Sequence, residues 1–131
     1  MVDHASGWHD QGGGDFKSIH IYFKPVPSVI DERPILLSEF GGYSLKENEH
    51  SFNVSKTFGY KVLDSREKLQ EAYVDLYENQ IIPKLNEGLA GAIYTQLSDV
   101  EDEVNGIFTY DRKIIKIDEK VLKEINEKLK F

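Results

Sequence analysis

Residues Arg33 to Tyr43 read RPILLSEFGGY, an apolar run from Pro34 to Leu37 that passes straight into Ser38, Glu39, Phe40 and two glycines. A continuous apolar run of this kind is the pattern of a strand covered on both faces, as in a parallel sheet. Glu39 then stands where that strand ends, and an ionised carboxylate resists desolvation there. Acids at the C-terminal ends of parallel strands project into the site in barrels and open sheets. Gly41 and Gly42 let the backbone turn sharply and leave room beside the acid. The plain alternative is a surface glutamate just past a strand.

Upstream, SIHIYF (Ser18 to Phe23) alternates and is rich in Ile and aromatics, which predicts a short strand ended by the prolines of KPVPS. His20 and Tyr22 lie two apart and share one face of it. Residues 1–17 are turn-rich, with MVDHAS (1–6) the candidate for a further strand. Downstream, Tyr43 to about Leu63 reads as a polar loop. A helix follows, with Asp64 as N-cap and Glu67 three residues on. Leu69, Ala72, Tyr73 and Leu76 trace its apolar face, Pro83 bends or shortens it, and Gly88 stops it. LAGAIYTQL (Leu89 to Leu97) is the third strand-like run, NGIFTYDRKIIKID (Asn105 to Asp118) a turn or short hairpin. A last helix starts near Asp118 with Val121, Leu122, Ile125 and Leu129 inward. Strand, crossover, strand predicts an α/β class with parallel strands.

Composition narrows the function classes. The 131 residues are 40% hydrophobic and 30% charged, ordinary for one domain with a real core. A net charge of -7 argues against binding nucleic acid, which needs clustered Lys and Arg. The chain has no cysteine, so disulfides and thiolate metal sites are excluded. His4, His9, His20 and His50 fall into no metal-binding spacing, so no metal is expected. QGGGD (Gln11 to Asp15) lacks the spacing of a phosphate loop, and SDVEDEVNG (Ser98 to Gly106) that of an EF-hand, so the latter reads as a solvated loop. Asn53-Val54-Ser55 fits the glycosylation sequon, a frequent chance match. With neither a membrane-length apolar run nor a secretory leader, the chain is expected to be soluble and cytoplasmic. Trp8 is the only tryptophan, a cap on the core or a sugar-stacking platform.

Taken in order, these segments resemble the last part of the catalytic domain of glycoside hydrolase family 2, the family of β-galactosidases, β-glucuronidases and β-mannosidases. DHASGW with GGGDFKSIHIYFKP resembles the region running from the fifth strand into the sixth of its barrel. RPILLSEFGGY resembles the seventh strand, and GLAGAIYTQLSDVEDEVNGIFTYDRK the eighth and the segment after it. SEFGG alone is weak; the ordered set is more specific. The resemblance implies a partial (β/α)8 barrel over residues 1–131, roughly strands 5 or 6 to 8 with their helices. It implies Glu39 as catalytic nucleophile, Tyr22 as the tyrosine that hydrogen-bonds it, and His20 on the same pocket wall. Trp8 and Tyr94 would contact the sugar, Tyr94 standing where many relatives carry a tryptophan. The implied reaction is retaining hydrolysis of an O-glycosidic bond by two carboxyl groups, with no cofactor.

One departure is plain. The family's acid/base glutamate follows an asparagine at the end of the fourth strand, before the seventh. Here Asn-Glu occurs only at Asn48-Glu49, Asn86-Glu87 and Asn126-Glu127, all after it. A complete barrel takes about 250 residues. The chain therefore reads as the C-terminal half of a longer enzyme, inactive alone. Its partners would be a carbohydrate substrate and either the remainder of the barrel or a second copy joined through exposed strand edges. Two other readings remain open: a non-catalytic carbohydrate-binding or structural α/β module, and an unrelated α/β enzyme using Glu39 as general base.

Overall fold

A computed structural model describes residues 1–4 and 7–130. Three strands, β1 (Lys17–Ile21), β2 (Ile35–Gly41) and β5 (Leu89–Thr95), form one sheet in the order β1-β2-β5, parallel throughout. Between β2 and β5 the chain makes a separate parallel pair, β3 (Tyr43–Ser44) with β4 (Lys61–Val62), inside the segment read as loop. It then forms helix α1 (Arg66–Leu76), a π-helical turn at Tyr77–Ile81 and the single turn α2 (Ile82–Leu85). Helix α3 (Glu119–Lys128) ends the fold. No helix among the described residues is long and apolar enough to cross a membrane.

The expected partial (β/α)8 barrel is overturned. The sheet has three strands and open edges, and only α1 and α3 exceed one turn. The link from β1 to β2 carries no helix. Pro25, Pro27 and Pro34 punctuate it, and proline removes the backbone donor a helix interior needs. Without a helix on each crossover, the layers that wrap a barrel are missing. Residues 1–4 form no strand, and the rest of the candidate strand at 1–6 lies outside the described residues.

The long helix follows its sequence signals with two adjustments. Ser65, not Asp64, is the N-cap: its hydroxyl accepts from the Lys68 amide at 3.2 Å. Asp64 pairs instead with the Lys68 ammonium at 2.7 Å, one turn on. Pro83 neither ends nor removes the helix. It falls in the first turn of α2, directly after the π turn, where the widened spiral absorbs the missing donor. Gly88, at φ +97°, then stops the run.

Leu69, Tyr73 and Leu76 of α1 bury against Ile35, Leu37 and Phe40 of β2. Ile125 of α3 is buried in the same core, with Val121, Leu122 and Leu129 packed around it. Phe40 has no exposed surface, so its truncation to alanine costs about 3–5 kcal/mol. The other sheet face is only partly covered: Leu36 is half-buried and Ile93 is 55% exposed, so β2 is not sealed on both sides.

The segment from Ser98 to Gly106 is not simply a solvated loop. Asp99 and Lys116 are each 1% exposed. The Lys116 ammonium donates to Asp99 Oδ1 at 2.7 Å and Oδ2 at 2.8 Å, to the Leu45 carbonyl at 2.7 Å and to the Val104 carbonyl at 3.0 Å. Burial pushes the Asp99 carboxyl up and the Lys116 ammonium down, against their mutual attraction. Asn105 to Asp118 does make a short turn, with Phe108 bridged to Ile115.

Candidate functional site

The site is built on an irregularity in β2. Ile19 is the partner of Leu37 in β1, but the next residue, His20, is the partner of Glu39. On the other side Leu37 pairs with Ala92 and Phe40 with Tyr94. Both neighbours therefore skip a residue, which marks a bulge around Ser38 and Glu39. The bulge lets Leu37 and Phe40, three apart, both enter the core at 1% and 0% exposure. It also brings Glu39 onto the face of His20, whose own neighbours Ile19 and Ile21 pack into the core.

Tyr22, just past β1, donates its hydroxyl proton to Glu39 Oε2 at 2.6 Å. Its oxygen also lies 3.1 Å from Thr95 Oγ1 at the end of β5. A phenol carries one proton, so Thr95 donates in return. Burial, then the hydrogen bond to Glu39, holds the Tyr22 phenol above its ordinary range, so it remains a donor at neutral pH. His20 Nδ1 is 3.3 Å from the same carboxylate oxygen but outside hydrogen-bond geometry. The Glu39 side chain is 43% exposed, so its carboxylate is only partly desolvated.

Aromatic rings surround this group. Trp8 meets His20 edge-on at 5.4 Å between ring centroids and tilts over Tyr22 at 5.9 Å. Its turn is held by the His20 amide donating to the Gly7 carbonyl at 3.0 Å. A Cβ on Gly7 would meet His20 Cδ2 at 2.2 Å, so only glycine allows this approach. Trp8 is 54% exposed, a platform rather than a core cap. Tyr60 stacks on Tyr22 at 3.7 Å with an 8° tilt. Gly42 makes room for that pair: a Cβ there would meet both rings.

Four of the expected residues thus come together: Trp8, His20, Tyr22 and Glu39. Tyr94 does not join them. It pairs in register with Phe40 and packs edge-on to Phe40 and Tyr73, on the helix side of the sheet. A Cβ on Gly41 would meet its ring at 2.3 Å. Tyr60 and Thr95 are members that sequence reasoning missed. The signal for Tyr60 was there in FGY (Phe58 to Tyr60), an aromatic pair inside a stretch taken as polar.

No group of three or more His, Asp or Glu among the described residues is placed to hold a metal ion. Glu49 sits in a 3-10 turn at Asn48–His50, Glu87 just past α2 and Glu127 inside α3, so none stands at the end of a sheet strand. No family model matches the chain, and no curated protein matches it. Fold and site together define an α/β chain that presents a tyrosine-supported glutamate among aromatic rings at the C-terminal end of an open parallel sheet.

Proposed function

We propose that the chain carries the nucleophilic side of a retaining glycosidase site, with Glu39 as nucleophile and Tyr22 as the residue that orients it. The observation that carries this reading is the 2.6 Å hydrogen bond from Tyr22 to Glu39 Oε2. It fixes one carboxylate oxygen and leaves Oε1 without a hydrogen bond among the described residues. Oε1 attacks the anomeric carbon, the glycosidic C–O bond breaks, and the departing oxygen takes a proton from a second carboxyl group about 5–5.5 Å away. Water then releases the sugar from Glu39. Trp8, with His20 beneath its edge, offers the flat apolar surface on which the CH face of a pyranose stacks. The resemblance to glycoside hydrolase family 2 supports the same assignment for Glu39 and Tyr22. The second carboxyl group is supplied from outside the three-stranded sheet, so the 131 residues by themselves do not turn over substrate.

The test is intact-protein mass spectrometry after incubation with activated 2-fluoro glycosides of several sugars, with Glu39→Gln as control. A glycosyl adduct on Glu39, absent from the control, supports the reading. No adduct with any sugar removes the claim that this chain forms a nucleophile site.

A second reading has its own support. Glu39 and Trp8 are both substantially exposed, at 43% and 54%, as in a surface that binds sugar reversibly without chemistry. That module binds free sugars in titration and forms no adduct.

A further inference from the structure

Each strand of the sheet contributes one member of a single hydrogen-bonded line. Tyr22 follows β1, Glu39 lies in β2 and Thr95 ends β5. Because β2 is the central strand, the Tyr22 side chain has to cross it to reach Thr95. It crosses beside Gly42, where a Cβ would lie 2.9 Å from its ring. Gly41, the residue before, is the register partner of Thr95. The stretch from Glu39 to Gly42 therefore carries both the acid and the bare backbone that lets a tyrosine pass beside it.

Thr95 is fixed at the far end of this line. Its carbonyl accepts from the Gly42 amide at 3.0 Å, and branching at Cβ restricts its side chain to few rotamers. Among the described residues, Tyr22 is the only hydrogen-bond partner of its hydroxyl, at 3.1 Å. The acceptors set the direction of the protons. The Tyr22 proton goes to the carboxylate at 2.6 Å, the stronger acceptor, and the Thr95 hydroxyl donates to the phenol oxygen. A hydroxyl that accepts a hydrogen bond is a stronger donor, because each bond in a chain polarises the next. The bond from Thr95 accordingly pulls the Tyr22 phenol down, against the burial and the Glu39 bond that push it up.

We propose that Thr95 is a positioning residue for Glu39 that acts through Tyr22: its hydroxyl aims and strengthens the O–H donated to Glu39 Oε2, which favours the carboxylate over the acid. The line runs one way, from Thr95 to Tyr22 to Glu39, and leaves Oε1 free. Its consequence for attack on a sugar rests on the glycosidase reading. Its effect on the carboxylate does not.

The first readout is an NMR titration of the Glu39 carboxyl carbon in the whole chain, with Glu39→Gln, which removes that signal, as its assignment. Thr95→Val keeps the shape of the side chain and removes the hydroxyl. It should move the titration to higher pH, because a weaker donor stabilises the carboxylate less. Thr95→Ser, which keeps the hydroxyl, should titrate close to the parent. In Tyr22→Phe, adding Thr95→Val should move nothing further, since the line is already cut. The second readout is labelling by the 2-fluoro glycosides, which Thr95→Val should slow about tenfold, the effect of weakening one hydrogen bond to a charged group. A parent chain that shows the titration shift but takes no label removes the glycosidase reading and upholds the role of Thr95. An unchanged titration in Thr95→Val, an equal shift in Thr95→Ser, or a further shift in the Tyr22→Phe background overturns the proposal. Valine suits a strand end as well as threonine does, and circular dichroism checks that each variant folds.

Discussion

His20 and Glu39 face each other across β1 and β2 although Ile19, one residue earlier, is paired with Leu37. Ser38 is the residue skipped, and its hydroxyl is buried without a hydrogen-bond partner. Plain alternation from Leu37 would send Glu39 into the core and Phe40 out of it. One extra residue reverses both outcomes, keeping the ring buried and the carboxylate accessible. The Tyr22 hydroxyl, itself held by Thr95, and the His20 ring then meet a group that the strand pattern alone would have hidden.

Tyr22→Phe separates orientation from stacking. The variant keeps the ring against Tyr60 but loses the only O–H donated to Glu39 among the described residues. Adduct formation with a 2-fluoro glycoside should slow about 100-fold, the usual cost of letting a reacting group drift from its geometry. Tyr60→Phe, which removes a hydroxyl that does not touch Glu39, should label at nearly the parent rate. Equal slowing in both variants would assign the effect to the aromatic stack instead.

Gly42→Ala tests the close approach beneath that stack. Gly42 sits at φ +67°, and a Cβ there would lie 2.4 Å from the Tyr60 ring and 2.9 Å from that of Tyr22. Strain and overpacking should cost about 1–3 kcal/mol in urea unfolding. The near-ultraviolet dichroism of the tyrosines should weaken as the rings separate. An unchanged spectrum would mean that the stack does not depend on this glycine.

The sequence showed the strands and helices because each is written in local periodicity. SIHIYF, ILLSEF and LAGAIYT alternate or run apolar, and Val121, Leu122 and Ile125 recur at helical spacing. Glu39, Tyr22, His20 and Trp8 were legible as chemistry-bearing residues near strand ends. Tyr94 was misplaced because the face it occupies depends on the register shift between Leu37 and Phe40, which is a property of two strands and not of one. The barrel expectation failed for a related reason. Local patterns show which segments are strands, but closure depends on how many strands pair and what covers each crossover. Lys116 gave no local sign of burial, since its four acceptors come from Leu45, Asp99 and Val104, far apart in the chain.

That buried pair makes a prediction about stability. Lys116→Met leaves the Asp99 carboxylate in the interior without its cation, and Asp99→Asn leaves the ammonium without its anion. Each should cost about 3–5 kcal/mol. Lys116→Met combined with Asp99→Leu should cost less than the sum, because the two desolvation penalties vanish together. It should not recover fully, since the Leu45 carbonyl loses its donor and the Val104 carbonyl keeps only the Leu45 amide. Additive losses in a urea-denaturation cycle would show that the pair does not act as a unit.

The sheet edges bear on assembly. β1 and β5 are its outer strands, and Ile93 of β5 and Leu97 just beyond it are 55% and 70% exposed. A bare edge next to apolar side chains is a template for another strand. Light scattering should show self-association that grows with concentration, and Ile93→Lys should shift it towards monomer. A monomer at every concentration would discard the edge as an interface.

Acid should loosen the segment that carries Trp8 before it unfolds the core. The Arg33 guanidinium donates to Asp31 at 2.9 Å and to Asp10 Oδ2 at 2.7 Å, and also reaches the Gly13 carbonyl at 2.8 Å. It therefore ties residues 10–16 to the start of β2. Hydrogen bonds from Arg33 lower the Asp31 carboxyl to about 2 and, with help from Lys17, hold Asp10 well below the ordinary carboxylate range. Both groups are depressed in the folded chain, so the folded state binds fewer protons than the unfolded one. Their contribution is complete above the ordinary value of 3.8; that of Asp31 disappears as pH falls through about 2, and that of Asp10 lower still. Trp8 fluorescence, read from pH 5 down to pH 1, should change as the clamp lets go while the far-ultraviolet signal of α1 and α3 holds. In Arg33→Ala the Trp8 signal should already be the released one at neutral pH. If it matches the parent there, the clamp does not position Trp8, and the ring is held over His20 by the Gly7 contact alone.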